Sequence, residues 1–179
     1  MENLFIETER LVITEFNDSM VASVHENSLD EDIRLFVPDE VFETVEDACK
    51  VVSFLMDCYR GNTGPFVYPV LLKSGENIGY VQVAPIEHGR WEIGYHIAKK
   101  YTGNGYATEA VKSFLPVIMA RLVIDKIEGL CLHENFASRA VLDKCGFKSE
   151  YSGTGNYHGS VRNICRYSYQ YPGTDVFGK

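Results

Sequence analysis

The feature that most constrains the fold is a two-glycine loop, Gly103-Asn104-Gly105, which stands between a β-prone segment and a helical one. β-branched and aromatic residues are frequent in 91–98, and apolar residues recur at helical spacing from Ala107 to Met119. Glycines in such a loop let main-chain N–H groups approach an anion, and the start of the next helix adds partial positive charge. The loop therefore predicts a strand–turn–helix unit that is either a phosphate cradle or only a tight turn.

Two familiar phosphate-binding loops fit the sequence poorly. A dinucleotide loop requires a third Gly or Ala where Thr108 stands, and an acidic residue at the end of the following strand, whereas Asp125 precedes that strand. The Gly-Lys-Ser/Thr tripeptide of a nucleoside-triphosphate loop does not occur. A nicotinamide-dependent oxidoreductase is therefore the least favoured interpretation.

The rest of the pattern predicts one domain over residues 1–171 and a tail over 172–179. Short polar turns at 74–77 and 87–90 indicate an antiparallel meander, and the strand–helix–strand order around the glycine loop makes the central connection parallel. Pro116 is expected to kink the helix that follows the loop. The predicted strands are 11–16, 66–73, 78–85, 91–98, 126–133, 147–151 and 161–171, and the predicted helices are 18–27, 45–59, 107–119 and 135–145.

Composition and charge narrow the class of protein. With 179 residues, 45% of them hydrophobic, the chain is long enough for one core and too short for two. Its 17 Lys+Arg against 25 Asp+Glu give a formal charge of −8, which argues against nucleic-acid binding. No apolar run approaches the roughly 20 residues of a membrane span, and the first residues lack signal-peptide character. We expect a soluble, cytoplasmic protein that does not bind a membrane.

The cysteines and histidines indicate neither a disulfide framework nor a metal site. The five cysteines are odd in number and lie in apolar stretches, which favours reduced residues of the core: Cys49, Cys58, Cys131, Cys145 and Cys165. The five histidines show no ligand spacing, so no metal is predicted.

Three blocks in a fixed order resemble the GNAT acetyltransferase superfamily, and within it the RimJ/RimL-like branch. They are Glu92–Tyr95, Gly103–Ala110, and Asn135 with Ser138 and Leu142–Phe147. With a similar first strand at 8–11, the resemblance spans nearly the whole chain. It implies the α/β GNAT fold: a mixed, mostly antiparallel sheet of about seven strands, about four flanking helices, and a splayed parallel pair of strands at the centre.

The resemblance also implies acetyl-CoA as co-substrate. Its pyrophosphate is expected at the main-chain N–H groups of Thr102–Ala107, with a further hydroxyl donor, while Lys100 stands where the family usually has Gln or Arg. The pantetheine arm is expected between the splayed strands. The residues assigned to the cofactor are Ile97, Ala98, Lys100, Thr102, Gly103, Asn104, Gly105, Tyr106, Ala107, Thr108, Asn135, Ser138 and Lys144.

Two residues are candidates for catalysis. Glu92 matches the place where many family members carry the carboxylate that accepts the proton of the amine, although a surface carboxylate on a half-exposed strand is an equal alternative. Leu142 occupies the position of the tyrosine that usually protonates the thiolate. Ser138 is the preferred substitute, and a helix-start serine that bonds nearby backbone is the alternative.

The resemblance implies a primary amine as acceptor, which attacks directly in a ternary complex. A protein N-terminal α-amine, with a pKa of about 8, loses its proton more easily than a lysine, with a pKa of about 10.4. The alternatives are a small-molecule amine (antibiotic, polyamine or amino acid) and a non-catalytic acyl-CoA-binding module. The acceptor is expected to contact segments 30–43 and 152–162, and the protein is expected to be a monomer or homodimer.

Overall fold

The computed structural model describes residues 3–172, which form one sheet with helices on both faces. The helices are α1 (Val21–Ser28), α2 (Glu31–Phe36), α3 (Val45–Cys58), α4 (Tyr106–Leu122) and α5 (Phe136–Lys144). The strands are β1 (Ile6–Glu7), β2 (Leu11–Ile13), β3 (Phe66–Leu72), β4 (Asn77–Ile86), β5 (Arg90–Ile97), β6 (Lys126–Leu132), β7 (Lys148–Tyr157) and β8 (Ser160–Gln170).

The sheet has eight strands in the order β1-β2-β3-β4-β5-β6-β8-β7. Every neighbouring pair is antiparallel except β5 and β6, which are parallel, so the predicted mixed sheet is confirmed. The additional strand is the short β1, and the additional helix is α2, which lies inside the segment expected to contact the acceptor. The expected C-terminal tail lies, apart from Pro172, outside the described residues.

The parallel pair separates soon after it begins. Only Glu92 with Glu128, and Ile93 with Gly129, are in register between β5 and β6. On its other side β5 stays paired with β4, where the N–H of Ala98 donates to the carbonyl of Ile78 at 2.8 Å. Since main-chain groups alternate in direction along a strand, the N–H of Ile97 is directed into the gap.

The helix after the glycine loop covers one face of the sheet. Its buried side chains include Val111, Phe114 and Ile118, and Tyr68 of β3 packs on Phe114 with ring centroids 5.5 Å apart. Pro116 lies inside this helix, yet α4 runs unbroken over 17 residues. The expected kink does not divide the helix, because side chains on both sides of the proline are anchored in the core.

Helices α1 and α3 lie on the opposite face and shape its surface. Thr44 caps α3, accepting from the N–H of Asp47 at 3.1 Å. Cys131, Cys145 and Cys165 are buried free thiols, but Cys49 is exposed and Cys58 only half-buried. The prediction of five core cysteines is therefore wrong for these two, which lie towards the solvent side of the amphipathic α3. Among the helices of residues 3–172, none is long and apolar enough to cross a bilayer.

Candidate active site

The glycine loop presents free main-chain donors at the start of α4. Gly103 and Gly105 have φ angles of +81° and +79°, which L side chains rarely adopt. The first bond of the helix runs from the N–H of Glu109 to the carbonyl of Gly105, at 3.0 Å. The N–H groups of the preceding turn, 106–108, therefore have no acceptor within the helix and point towards its N-terminal end. Such an end attracts an anion.

Residues near the first strand hold this loop in place. Glu109 accepts from Thr8 Oγ1 at 2.6 Å and from Arg10 Nε at 2.7 Å. Arg10 Nη1 also donates to the carbonyl of Asn104 at 2.9 Å, and its guanidinium lies 4.7 Å from the ring centre of Tyr106. The position of the loop thus depends on contacts between residues about one hundred positions apart.

A cleft of about 400 Å³ extends from the glycine loop along the gap between β5 and β6 to α2. It brings together most of the residues predicted from the sequence. Those that line it are Glu92, Ile97, Thr102, Gly103, Gly105, Tyr106, Ala107, Thr108, Asn135, Ser138 and Lys144.

Glu92 lies in this cleft, on the face of the sheet that carries α1 and α3. Its pKa is raised to about 7, chiefly by burial and further by the negative charge of Glu128, while Arg90 acts in the opposite direction. Arg90 Nη1 binds both carboxylate oxygens of Glu128 at 2.9 Å. A carboxylate with a pKa near neutrality is suited to accept a proton at physiological pH.

Asn135 and Ser138 begin α5 on the other side of the gap. The side-chain oxygen of Asn135 accepts from the N–H of Ser138 at 3.0 Å, as an N-cap. Ser138 Oγ lies 2.9 Å from the hydroxyl of Tyr95, which also donates to the carbonyl of Ser138 at 2.8 Å. Instead of bonding nearby backbone, the Ser138 hydroxyl therefore contacts a side chain of β5 across the gap.

Comparison with known proteins identifies the family. Residues 10–148 match the family described as Acetyltransferase (GNAT) domain. The chain belongs to the GNAT acetyltransferase family. It is 31% identical over 150 residues to the uncharacterized N-acetyltransferase YnaD of Bacillus subtilis, covering 82% of this chain and 84% of YnaD. The predicted class, an N-acetyltransferase, is thereby confirmed.

Solved structures of GNAT proteins share the fold. An acetyltransferase (GNAT family) from Bacillus anthracis aligns with a TM-score of 0.79 and 26% identity, over 93% of this chain and 98% of that chain. RimL, a ribosomal L7/L12 alpha-N-protein acetyltransferase in complex with coenzyme A, aligns with a TM-score of 0.80 and 20% identity, over 94% of this chain and 98% of that chain. At that identity, the likeness to RimL shows the fold alone.

Three residues assigned to the cofactor do not line the GNAT cleft. Lys100 forms an ion pair with Glu76 at 3.3 Å, and its ammonium lies 4.8 Å from the ring centre of Tyr101. Asn104 uses its amide to donate to the carbonyl of Tyr101 at 3.0 Å. Ala98 directs its N–H to β4. Their assignment to the cofactor remains a prediction, with fewer contacts in its favour than that of the cleft-lining residues.

Sequence reasoning missed Tyr80 and Gln82 of the cleft, whereas Glu40 and Tyr157 lie in the segments expected to contact the acceptor, 30–43 and 152–162. Glu40 accepts from the Tyr80 hydroxyl and, at 3.4 Å, from Gln82 Nε2. The Tyr157 hydroxyl donates to the carbonyl of Phe36 at 2.8 Å and so joins the β7–β8 hairpin to α2. The alternation of β4 could have placed Tyr80 and Gln82 on one face, but no local pattern pairs either of them with Glu40.

Proposed function

We propose that the protein transfers an acetyl group from acetyl-CoA to a primary amine, which attacks directly while both substrates are bound. The observation that carries this proposal is the continuous cleft, which connects the free N–H groups of the glycine loop to Glu92 through the gap between β5 and β6. The GNAT family match and the coenzyme A complex of RimL support acetyl-CoA as the donor.

The residues present fit this co-substrate. The N–H groups at the start of α4 suit the pyrophosphate. The φ angles of +81° and +79° favour glycine at both positions of the loop, and glycine places no side chain in front of those donors. Beyond Ile93 and Gly129, β5 and β6 are no longer paired, so main-chain groups of the gap are available to the amides of a pantetheine arm. Asn135 uses only its side-chain oxygen in the helix cap, so its amide N–H groups remain to donate, and Lys144 lines the same cleft.

Within this assignment each catalytic need has a candidate in the chain. Bound acetyl-CoA supplies a thioester carbonyl and a thiolate leaving group. Glu92 accepts the proton of the acceptor amine, and its pKa of about 7 leaves it largely ionised above neutral pH. The N–H of Ile97 is a fixed dipole for the developing oxyanion. Ser138, held by Tyr95, is the hydroxyl proposed to protonate the departing sulfur.

We assign the acceptor only to the class of primary amines. A protein N-terminal α-amine, and with it the RimJ/RimL-like branch, is supported by its lower pKa and by the fold shared with RimL. A small-molecule amine is the second candidate. The cytoplasmic location and the monomeric or homodimeric state remain predictions.

Calorimetric titration with acetyl-CoA tests the cofactor site through two matched glycine substitutions. Gly103 and Gly75 have φ angles of +81° and +89°, and a Cβ at either position meets no atom within 4 Å. Gly103→Ala and Gly75→Ala are therefore expected to lower stability equally. Only Gly103→Ala is expected to lower the affinity for acetyl-CoA, because its methyl group enters the proposed phosphate cradle. Equal affinities for the two variants would remove the loop from the site. Tight acetyl-CoA binding without thiol release for any amine would support a non-catalytic binding module instead.

A further inference from the structure

A second cavity, of about 380 Å³, lies on the face of the sheet that carries Glu92. It is lined by residues of α1, α2, α3 and the sheet, and most of its lining is apolar. Its hydrophobic walls include Phe16, Val24, Ile33, Phe42, Val51 and Leu55. Within the described chain, Asp39, Glu40, Tyr80 and His96 are the only ionisable side chains of this lining. A group that fills this cavity is therefore largely apolar.

The second cavity adjoins the catalytic cleft through shared walls. Glu40, Tyr80, Gln82 and His96 line both spaces. Glu92, Gly94 and His96 follow one another on the same face of β5. Gly94 lies about 7 Å from Glu92 along the strand. Because Gly94 has no side chain, the amide of Gln82 lies across it.

Contact geometry shows how closely the amide covers this position. A Cβ at Gly94 would lie 2.6 Å from Gln82 Nε2. The boundary between the proton acceptor and the second cavity is thus formed by one flexible side chain and the groups that hold it.

The junction also suits a cation. The carboxylate of Glu40 is held by two neutral donors, the Tyr80 hydroxyl and the Gln82 amide. Burial raises the pKa of Glu40, although both hydrogen bonds act in the opposite direction. Glu40 and Glu92 both line the cleft, so an ammonium group there is attracted by two carboxylates and can lose its proton to Glu92.

We propose that the second cavity is the side-group subsite of the acceptor, which makes the acceptor a primary amine bearing an aromatic or branched aliphatic group close to its nitrogen. The amine lies between Glu92 and Glu40, and the apolar group passes Gln82 into the subsite. This inference rests on the proposed acetyl transfer and narrows its substrate class. Polyamines and aminoglycosides, which carry charge throughout, fit the subsite poorly.

Matched acceptors test the subsite. 2-Phenylethylamine is compared with ethylamine, and a short peptide beginning with Phe is compared with one beginning with Gly, each by release of the coenzyme A thiol. We expect kcat/KM to be at least about tenfold higher for the apolar member of a pair, since a single methylene in a pocket is worth roughly 10-fold or more. If only the peptide pair shows a preference for the apolar member, the apolar group belongs to the N-terminal residue of a protein or peptide. If only the free-amine pair shows it, the acceptor is a small molecule.

A cavity-filling substitution separates the subsite from general effects on the enzyme. Val51 lines the second cavity, whereas Val45 of the same helix is 52% exposed and lines neither space. Val51→Phe is expected to lower kcat/KM at least tenfold for the apolar acceptor. The kcat/KM for ethylamine and the KM of acetyl-CoA should not change. Val45→Phe should leave all three unchanged.

A binding measurement keeps this inference apart from the proposed reaction. Calorimetric titration of 2-phenylethylamine and of the Phe peptide into the protein saturated with coenzyme A requires no turnover. If the wild type binds at least one of them and Val51→Phe does not, the subsite is supported, even if no thiol is released. The absence of thiol release would overturn only the transferase. Thiol release with equal kcat/KM for all acceptors, or an equal loss for ethylamine in Val51→Phe, overturns the subsite and leaves the transferase standing.

Discussion

At the scale of single residues, the proposed proton transfer depends on the environment of Glu92. Its pKa of about 7 follows first from burial and then from Glu128, which stands opposite it in the parallel pair. Arg90 binds Glu128 through both oxygens and so limits this repulsion without removing it. Activity that requires ionised Glu92 is therefore expected to fall as the pH drops below about 7.

Replacing Glu128 tests this electrostatic account. In Glu128→Gln the like charge is removed and Arg90 is released, and both changes favour the ionised form of Glu92. Its pKa should fall, so the acidic limb of kcat/KM against pH should move to lower pH. Glu150→Gln, which removes a carboxylate of similar type that pairs with Lys126 instead, is the control and should leave the limb in place. An unmoved limb in Glu128→Gln would mean that another group controls it.

At the scale of elements, the glycine loop is held by the turn between β1 and β2. Thr8 and Arg10 together occupy both oxygens of Glu109 in the first turn of α4. The loop is therefore fixed by an ion pair with a side chain about one hundred positions earlier in the sequence, and its donors are preorganised for an anion.

Removal of this ion pair should weaken the binding of acetyl-CoA rather than slow acetyl transfer. Arg10→Ala is expected to raise the KM of acetyl-CoA roughly tenfold, which corresponds to about 1.4 kcal/mol and suits the loss of hydrogen bonds to a charged group. Steady-state kinetics would show kcat little changed. Arg60→Ala removes a more exposed ion pair, with Asp57, that lies outside the cleft, and should alter neither constant. A fall in kcat with an unchanged KM would contradict this role of Arg10.

At the scale of the whole molecule, Tyr95 connects the two sides of the splayed gap. It reaches from β5 to the first turn of α5, where it bonds both the hydroxyl and the carbonyl of Ser138. Tyr95→Phe should remove this connection and leave two oxygens short of a partner, costing about 1–3 kcal/mol of stability. Thermal unfolding measures that loss, and kcat should fall if Ser138 protonates the thiolate. Tyr151→Phe, which loses a single exposed bond, should change neither.

The sequence predicts those parts of the molecule that local patterns determine. The glycine loop and the alternation of the meander follow from neighbouring residues. Glu92 and most of the residues assigned to the cofactor line one cleft. Helix α2 was missed because only six residues form it, and contacts with distant strands hold it. The bonds of Glu40 and Tyr95 join residues about 40 positions apart, so no local pattern reveals them.

The decisive measurement is amine-dependent release of the coenzyme A thiol, compared between the wild type and Glu92→Gln at neutral pH. We expect release that depends on a primary amine in the wild type, and a fall of roughly 100-fold or more in kcat for Glu92→Gln with acetyl-CoA binding retained. Release at the same rate in both proteins would contradict the assignment of Glu92, and no amine-dependent release from the wild type would contradict the proposed reaction itself.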